Sequence, residues 1–566
     1  MKEKGFTLIE LLAVIVILAI IALIATPIVL NIIKESKESS QLRSAEFYLG
    51  AVETAVTKKI MCNSTFKLSN CEIQKDGNLK CDEVDVIVEI EGEVPNSGTI
   101  TLKDGKIEKI KLKYENNKVI GYDKNKKLVY FKSTSYQEGE NIEIPDLYNN
   151  ILTPVIYDGD NWRVADVTKK WYDYSKQEWA NAVILDSSVK KEIGDTITVD
   201  GTNPDALAMF VWIPRYEYKI EGTYGNGGTS TSSPGEIEVN FINKDVKEAK
   251  VGYRIHPAFN FGGEDISGIW VGKFEISHKT KDTSLGCTTE ICVESDGLII
   301  LPNVKSLRNN NVSSFFYVIR SMSKEGNMFG IDKNTTDTHM IKNSEWGSVA
   351  YLSQSKYGKY GNSNYEGLNK EVYINNSSNM YTGRSGGTYG GNVSYDLSGT
   401  YTYDGYLVTN KEIRNMKLVS STTGNIYGIY DMSGGAWEYV MGSFANSDGE
   451  KWANNSGFVG KATASATDVE GLKWPAEKYY EIYKASSGTT ISSTTACNGG
   501  VCYGRALSET VGWYGDRAFF VSSTNPWLVR GGYYEGGAAS GVFGSASNYG
   551  YAYRVKSTRV VLTPAT

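Results

Sequence analysis

Cations in long runs, histidine and catalytic motifs are all scarce in this chain. Its 566 residues carry a formal net charge of −6. No basic stripe is long enough to follow a phosphate backbone, which argues against nucleic acid as a partner. Only three histidines occur, His256, His278 and His339. They are too scattered to set up a metal site by spacing, and neither a metal nor a cofactor is expected. No serine–histidine–acid arrangement or carboxylate pair has a motif around it, and no cysteine follows Cys502. Catalysis therefore has no visible carrier, and the chain reads as a binding protein rather than an enzyme.

The segment from Leu11 to Ile33 contains no charged residue. At about 1.5 Å rise per residue it reaches about 35 Å as a helix, enough to cross a bilayer's hydrocarbon core. In front stands Met1-Lys2-Glu3-Lys4-Gly5, whose lysines keep the leader cytoplasmic. A secretory signal places small residues after its apolar run. Here Gly5 precedes the run, so cleavage after Gly5 leaves the apolar helix on the mature protein. Glu10 is an ionisable group at the edge of that helix, costly to bury unless paired. The free α-amino group of Phe6 in a neighbouring subunit is a suitable partner.

Gly5-Phe6-Thr7-Leu8-Ile9-Glu10 and the run behind it closely resemble the N-terminus of type IV prepilins. The resemblance implies cleavage after Gly5 by prepilin peptidase and methylation of Phe6. It implies residence in the inner or cytoplasmic membrane before assembly, a Glu10 contact to the adjacent subunit's terminus, and packing against other pilin subunits. Pro27 stands where that family has a helix-kinking proline.

Beyond Ile33 the chain turns polar but stays helical. Leu42, Ala45, Leu49, Val52 and Val56 recur at spacings of three and four, an apolar stripe that packs on a globular head. Cys62, Cys71 and Cys81 fall in a loop-like region, where two can pair and one is left over. From Val84 the period changes to two: Val84, Val86, Val88 and Ile90 alternate, as do Ile110, Leu112 and Tyr114. An antiparallel meander follows, resembling the head sheet of a small pilin that ends near Phe131. Ser133 to Pro145 reads as a linker. Pro154 to Tyr218 has short aromatic strands between Gly and Asp turns, the style of a small β-module.

Later landmarks are Trp270-Val271-Gly272-Lys273-Phe274-Glu275, Asp431-Met432-Ser433-Gly434-Gly435-Ala436-Trp437-Glu438, Arg530-Gly531-Gly532 and Arg559-Val560-Val561-Leu562. In this order they resemble the formylglycine-generating-enzyme type of C-type-lectin fold. Trp437 and Val560 to Leu562 are core candidates. The catalytic members of that family use a cysteine pair, five apart, after the Arg-Gly-Gly element. Here Cys287/Cys292 and Cys497/Cys502 have that spacing but precede Arg530, so both pairs read as short disulfide-closed loops.

Between Arg530 and Arg559 stand Tyr533, Tyr534, Glu535, Ala538, Ser540, Ser545, Ala546, Ser547, Asn548, Tyr549, Tyr551, Ala552, Tyr553, Arg554 and Val555. Tyrosine with serine, glycine and asparagine is the composition of antibody paratopes, in which tyrosine gives large amphipathic contact area at low entropic cost. With Gly541-Val542-Phe543 at its centre, the segment also resembles the variable region of lectin-fold proteins diversified by retroelements. That resemblance implies that the fifteen positions form a ligand-binding face.

The sequence thus reads as α+β. A long N-terminal pilin helix carries a small antiparallel sheet, then a β-rich linker module and a C-type-lectin-like α+β domain. The boundaries are leader 1–5, helix 6–60, sheet head 61–132, linker 133–153, β-module 154–220 and ligand-binding domain 221–566. The function this implies is a surface adhesin or receptor on a type IV pilus, as a minor or tip subunit, with a protein or glycan ligand on another cell or phage. The rival readings are a pilus-borne formylglycine-type oxidase and a structural tip cap.

Overall fold

The computed structural model describes residues 40–61, 68–132, 144–220, 234–279, 297–394, 420–458, 474–484 and 496–565, short stretches within these ranges excepted. Gly5, Phe6, Glu10, the apolar run, Cys62, Cys287, Cys292 and the side chain of Cys497 lie outside the described residues. Among the described residues no helix is long and apolar enough to cross a membrane. The chain divides into two units, Met1–Ser133 and Thr134–Thr566, each with its own core.

In the first unit, helix α1 (40–61) buries Ala45, Leu49, Val52 and Val56, with Leu42 half-buried. The three-and-four spacing thus forms the packing face. Tyr48 joins it, and its hydroxyl donates to the Gly77 carbonyl at 2.7 Å. The sheet runs in the order Val84–Val86, Leu79–Cys81, Asn70–Ile73, Ser97–Lys103, Lys106–Lys113, Lys118–Tyr122 and Leu128–Lys132. Two expectations need correction. The cysteine region is not all loop: Asn70–Ile73 and Leu79–Cys81 pair antiparallel, which sets Cys71 opposite Cys81, and the two form a disulfide. Cys71, Ile73, Leu79 and Cys81 point inward while Glu72 and Lys80 point out, the period-two alternation of a half-buried hairpin. Conversely, the strand predicted over Val84 to Ile90 stops at Val86, and Ile87 is 71% exposed.

The second unit is β-rich. Its largest sheet runs in the order Thr196–Ile197, Trp162–Val164, Thr153–Tyr157, Asn181–Leu185, Ala206–Pro214, Gly268–Gly272, Val560–Pro564 and Thr336–Met340. The predicted division into a module at 154–220 and a domain at 221–566 is therefore corrected, because strands from both stretches share one sheet. Ala206–Pro214 explains why. All nine of its residues are buried. A strand covered on both faces belongs at the interior of a sheet, with partners on both edges. Here they are Asn181–Leu185 and Gly268–Gly272. Trp212 lies opposite Trp270, with ring centroids 5.3 Å apart.

A further sheet runs in the order Gly500–Val501, Ala496–Cys497, Glu481–Lys484, Trp437–Ala445, Trp527–Arg530 and Ser545–Asn548, and Lys556–Ser557 pairs parallel with Trp437–Glu438. Helix α2 (Val312–Arg320) starts at Asn311, whose side chain accepts from the Ser314 N–H, a standard N-cap. Helix α3 (Asn343–Ser353) is buried along its whole length. The carboxylate of Glu345 accepts from the Lys342 N–H at 2.7 Å, closing its first turn.

Candidate functional site

The segment between Arg530 and Arg559 is held on the second sheet by strands at both ends. Trp527–Arg530 pairs with Ser545–Asn548, and Lys556–Ser557 with Trp437–Glu438. Between them the chain makes two excursions. The first begins at Gly531 and Gly532, with φ of 84° and 79°, a conformation that costs other residues energy. A Cβ on Gly532 would lie 2.1 Å from Ser540 Oγ. That hydroxyl accepts from the Tyr533 N–H and donates to the Tyr533 carbonyl. The excursion returns through Val542 and Phe543, both buried, where the Trp346 indole donates to the Val542 carbonyl at 2.8 Å.

The second excursion, from Tyr549 to Val555, is pinned by its backbone. The carbonyls of Gly550, Tyr553 and Arg554 accept from the Val312 N–H, the Asn309 N–H and the Arg308 guanidinium. The Tyr439 hydroxyl reaches Asn548 Oδ1 at 2.5 Å and the Tyr551 carbonyl at 2.9 Å. With the backbone satisfied from inside, side chains between these anchors turn outward.

Eleven of the fifteen predicted positions reach solvent. Glu535, Ala538, Tyr549, Tyr553 and Arg554 are exposed, and Tyr533, Tyr534, Ser547, Asn548, Tyr551 and Ala552 are half-buried. Four are not part of a face. Ser540, Ser545, Ala546 and Val555 are buried. Ser540 closes the first excursion, and Val555 receives the Trp437 N–H on its carbonyl. Ser545 and Ala546 lie in a strand paired to the sheet interior. On the face, Tyr549, Tyr551 and Tyr553 form a row with centroid spacings of 5.9 and 5.6 Å. Tyr533 sits edge-on to Tyr534 at 5.7 Å and stacks on Trp437 at 6.5 Å. Trp437, expected in the core, is buried and also forms the floor under Tyr533. Burial, then Tyr553 and Tyr549, raises the Tyr551 phenol above its ordinary range.

Beneath the face lies a set of buried ionisable groups that sequence reasoning missed. Arg559 pairs with Glu438. Glu275 accepts from the Ala436 N–H and is bonded by Ser306; burial, then Asp431 and Glu438, pushes it well above the ordinary carboxylate range. Asp431, at φ 63°, accepts from Asn375 and the Gly383 N–H. These contacts fix the Asp-Met-Ser-Gly segment that carries Trp437. Asp516 accepts from the Phe543 N–H at 3.0 Å and is bonded to Glu371. Burial pushes Asp516 up to about 7, and burial, then Asp516, pushes Glu371 well above the carboxylate range. A Cβ on Gly541 would meet Asp516 at 2.2 Å. Arg530 is fully buried and donates to the Ala506 carbonyl; burial lowers it to about 10. The Asp-x-His of the Thr336–Met340 strand gave a faint signal: His339 bridges Asp337 and Glu345 at 2.9 and 3.0 Å.

Cys502 is buried and disulfide-bonded. Among the described residues no group of three or more His, Cys, Asp or Glu side chains is arranged to hold a metal ion.

No curated protein matches this chain. Among solved structures it is similar to Treponema denticola variable protein 1, with 12% identity and a TM-score of 0.23 over 62% of this chain and 95% of that one. Residues 1–26 match the family model of the prokaryotic N-terminal methylation motif. The chain therefore carries the N-terminal signal of type IV prepilins and is a membrane-anchored pilus subunit of the cell surface.

Proposed function

We propose that this pilus subunit is an adhesin or receptor whose face at Tyr533–Arg554 binds a ligand outside the cell. The observation that carries the reading is the row Tyr549–Tyr551–Tyr553, exposed at both ends and half-buried at its centre, on a backbone fixed from within. Rigid aromatic side chains on a satisfied scaffold bind with little ordering cost. In this reading the second unit is a lectin-type domain of the formylglycine-generating-enzyme kind, used for binding and not for catalysis. The order of its landmarks and the place of its cysteines before Arg530 support that. Diversification of the face by a retroelement belongs to the same proposal, and so does a minor or tip position, since so large a second unit crowds a fibre built of it alone.

The test compares piliated cells displaying the native chain with cells displaying a chain changed to alanine at Tyr549, Tyr551 and Tyr553. Both are measured for adhesion to cells and to protein and glycan arrays. Loss of adhesion at unchanged piliation supports the reading. Equal adhesion returns the face to a structural role within the pilus.

A further inference from the structure

The charge on the tyrosine face is unbalanced. Between Arg530 and Arg559 the only carboxylate is Glu535, while Arg517 and Arg554 are exposed around the face. Neither arginine forms an ion pair among the described residues. Nor does Lys556, which lies on the inner edge of the same surface. Its backbone pairs with Trp437, while Glu438, the next residue on that strand, is paired with Ser557 and turned to Arg559. Strand alternation thus carries the Glu438 carboxylate to the opposite side of the sheet. The Lys556 ammonium rests instead on the rings of Trp437, at 5.2 Å, and Tyr439, at 5.9 Å. Only 5% of the residue is exposed. Aromatic faces compensate a buried cation only in part and supply no counter-charge.

We propose that the face binds an acidic protein surface, one carboxylate of which seats on Lys556 with Arg517 and Arg554 at the rim. The proposal rests on the reading of this face as a ligand site and adds the ligand's chemistry. Burial, then Arg517, pulls the Lys556 amine down to about 7, and an arriving carboxylate restores its proton and its pairing. The tyrosine row favours a polypeptide over a sugar. Its rings are inclined to one another by 53° and 64°, so the row offers edges and hydroxyls rather than the flat platform on which a pyranose stacks. An excess of cations on a chain of net charge −6 also steers an acidic partner to this face rather than elsewhere.

The experiment uses the full chain in detergent, with labelled poly-L-glutamate as probe, alginate as a carboxylated glycan and poly-L-lysine as control. Poly-L-glutamate is expected to bind in a salt-sensitive way. Lys556→Met is expected to weaken it about tenfold or more, and Lys333→Gln, at an exposed site elsewhere, to leave it unchanged. Acetic anhydride labelling of Lys556 in the native chain, with and without poly-L-glutamate, reads the same contact without a variant, and protection is expected. Poly-L-glutamate binding that Lys556→Met does not alter, absence of protection, or binding of alginate alone overturns the proposal. If the tyrosine variant still abolishes adhesion in that case, the ligand-site reading stands without this chemistry.

Discussion

Arg559 holds Glu438 through two of its nitrogens, Nε at 3.1 Å and Nη2 at 2.5 Å, where neither side chain meets solvent. The remaining guanidinium donors reach the carbonyls of Gly272 and Tyr430, so one side chain ties both large sheets to the Asp-Met-Ser-Gly segment. Arg559→Met strands a buried carboxylate and two carbonyl acceptors. It is expected to cost about 3–5 kcal/mol in urea unfolding, and Glu438→Gln distinctly less.

Tyr549 and Tyr553 present the opposite case. Each is about two-fifths exposed, and the backbone beneath them is held by other groups. Changing both to alanine is expected to move stability by no more than about 0.5 kcal/mol while adhesion falls. A large drop in the unfolding midpoint would assign them to the fold instead.

The Asp516–Glu371 pair gives the stability a pH dependence. Asp516 has a folded pKa raised from its ordinary 3.8 to about 7. Its contribution is fully present below pH 4, and is lost as the pH climbs to about 7, because the unfolded chain ionises first. Asp516→Asn, which cannot ionise, is expected to flatten unfolding free energy against pH across that window. Parallel curves for the two proteins would show that the pair carries no such linkage.

Cys71 and Cys81 close a short loop between two adjacent interior strands of the first sheet. Replacing both by serine is expected to destabilise the first unit by about 2–3 kcal/mol. The unfolding transition of the second unit stays in place. Peptide mapping under non-reducing conditions should recover these two cysteines in one linked species.

Much of this architecture is legible in the residues, and the failures have definite causes. The α1 stripe reads directly, because a three-and-four spacing leaves a helix one way to pack. The tyrosine row reads from composition, since many hydroxyls without an apolar period do not suit a core. Ser540, Ser545 and Ala546 mislead for the same reason: a small residue looks alike whether it faces a ligand or fits beneath a backbone. Pro154 to Tyr218 misleads by its richness. Enough aromatic residues for a core of their own do not reveal that the strands continue into another stretch. Pairs such as Glu371 with Asp516 leave no local pattern, because residues far apart in sequence meet only after folding.

The strand Val560–Pro564 is hydrogen-bonded on one side to Gly268–Gly272 and on the other to Thr336–Met340, and it follows the tyrosine face in the sequence. A reading-frame error or a stop codon within the face removes that strand and leaves two edges of the largest sheet unpaired. Substitutions in the face leave the strand intact. The fold thus depends on the segment being translated through to its end: a chain cut short there lacks an interior strand, whereas a change at an exposed tyrosine removes none.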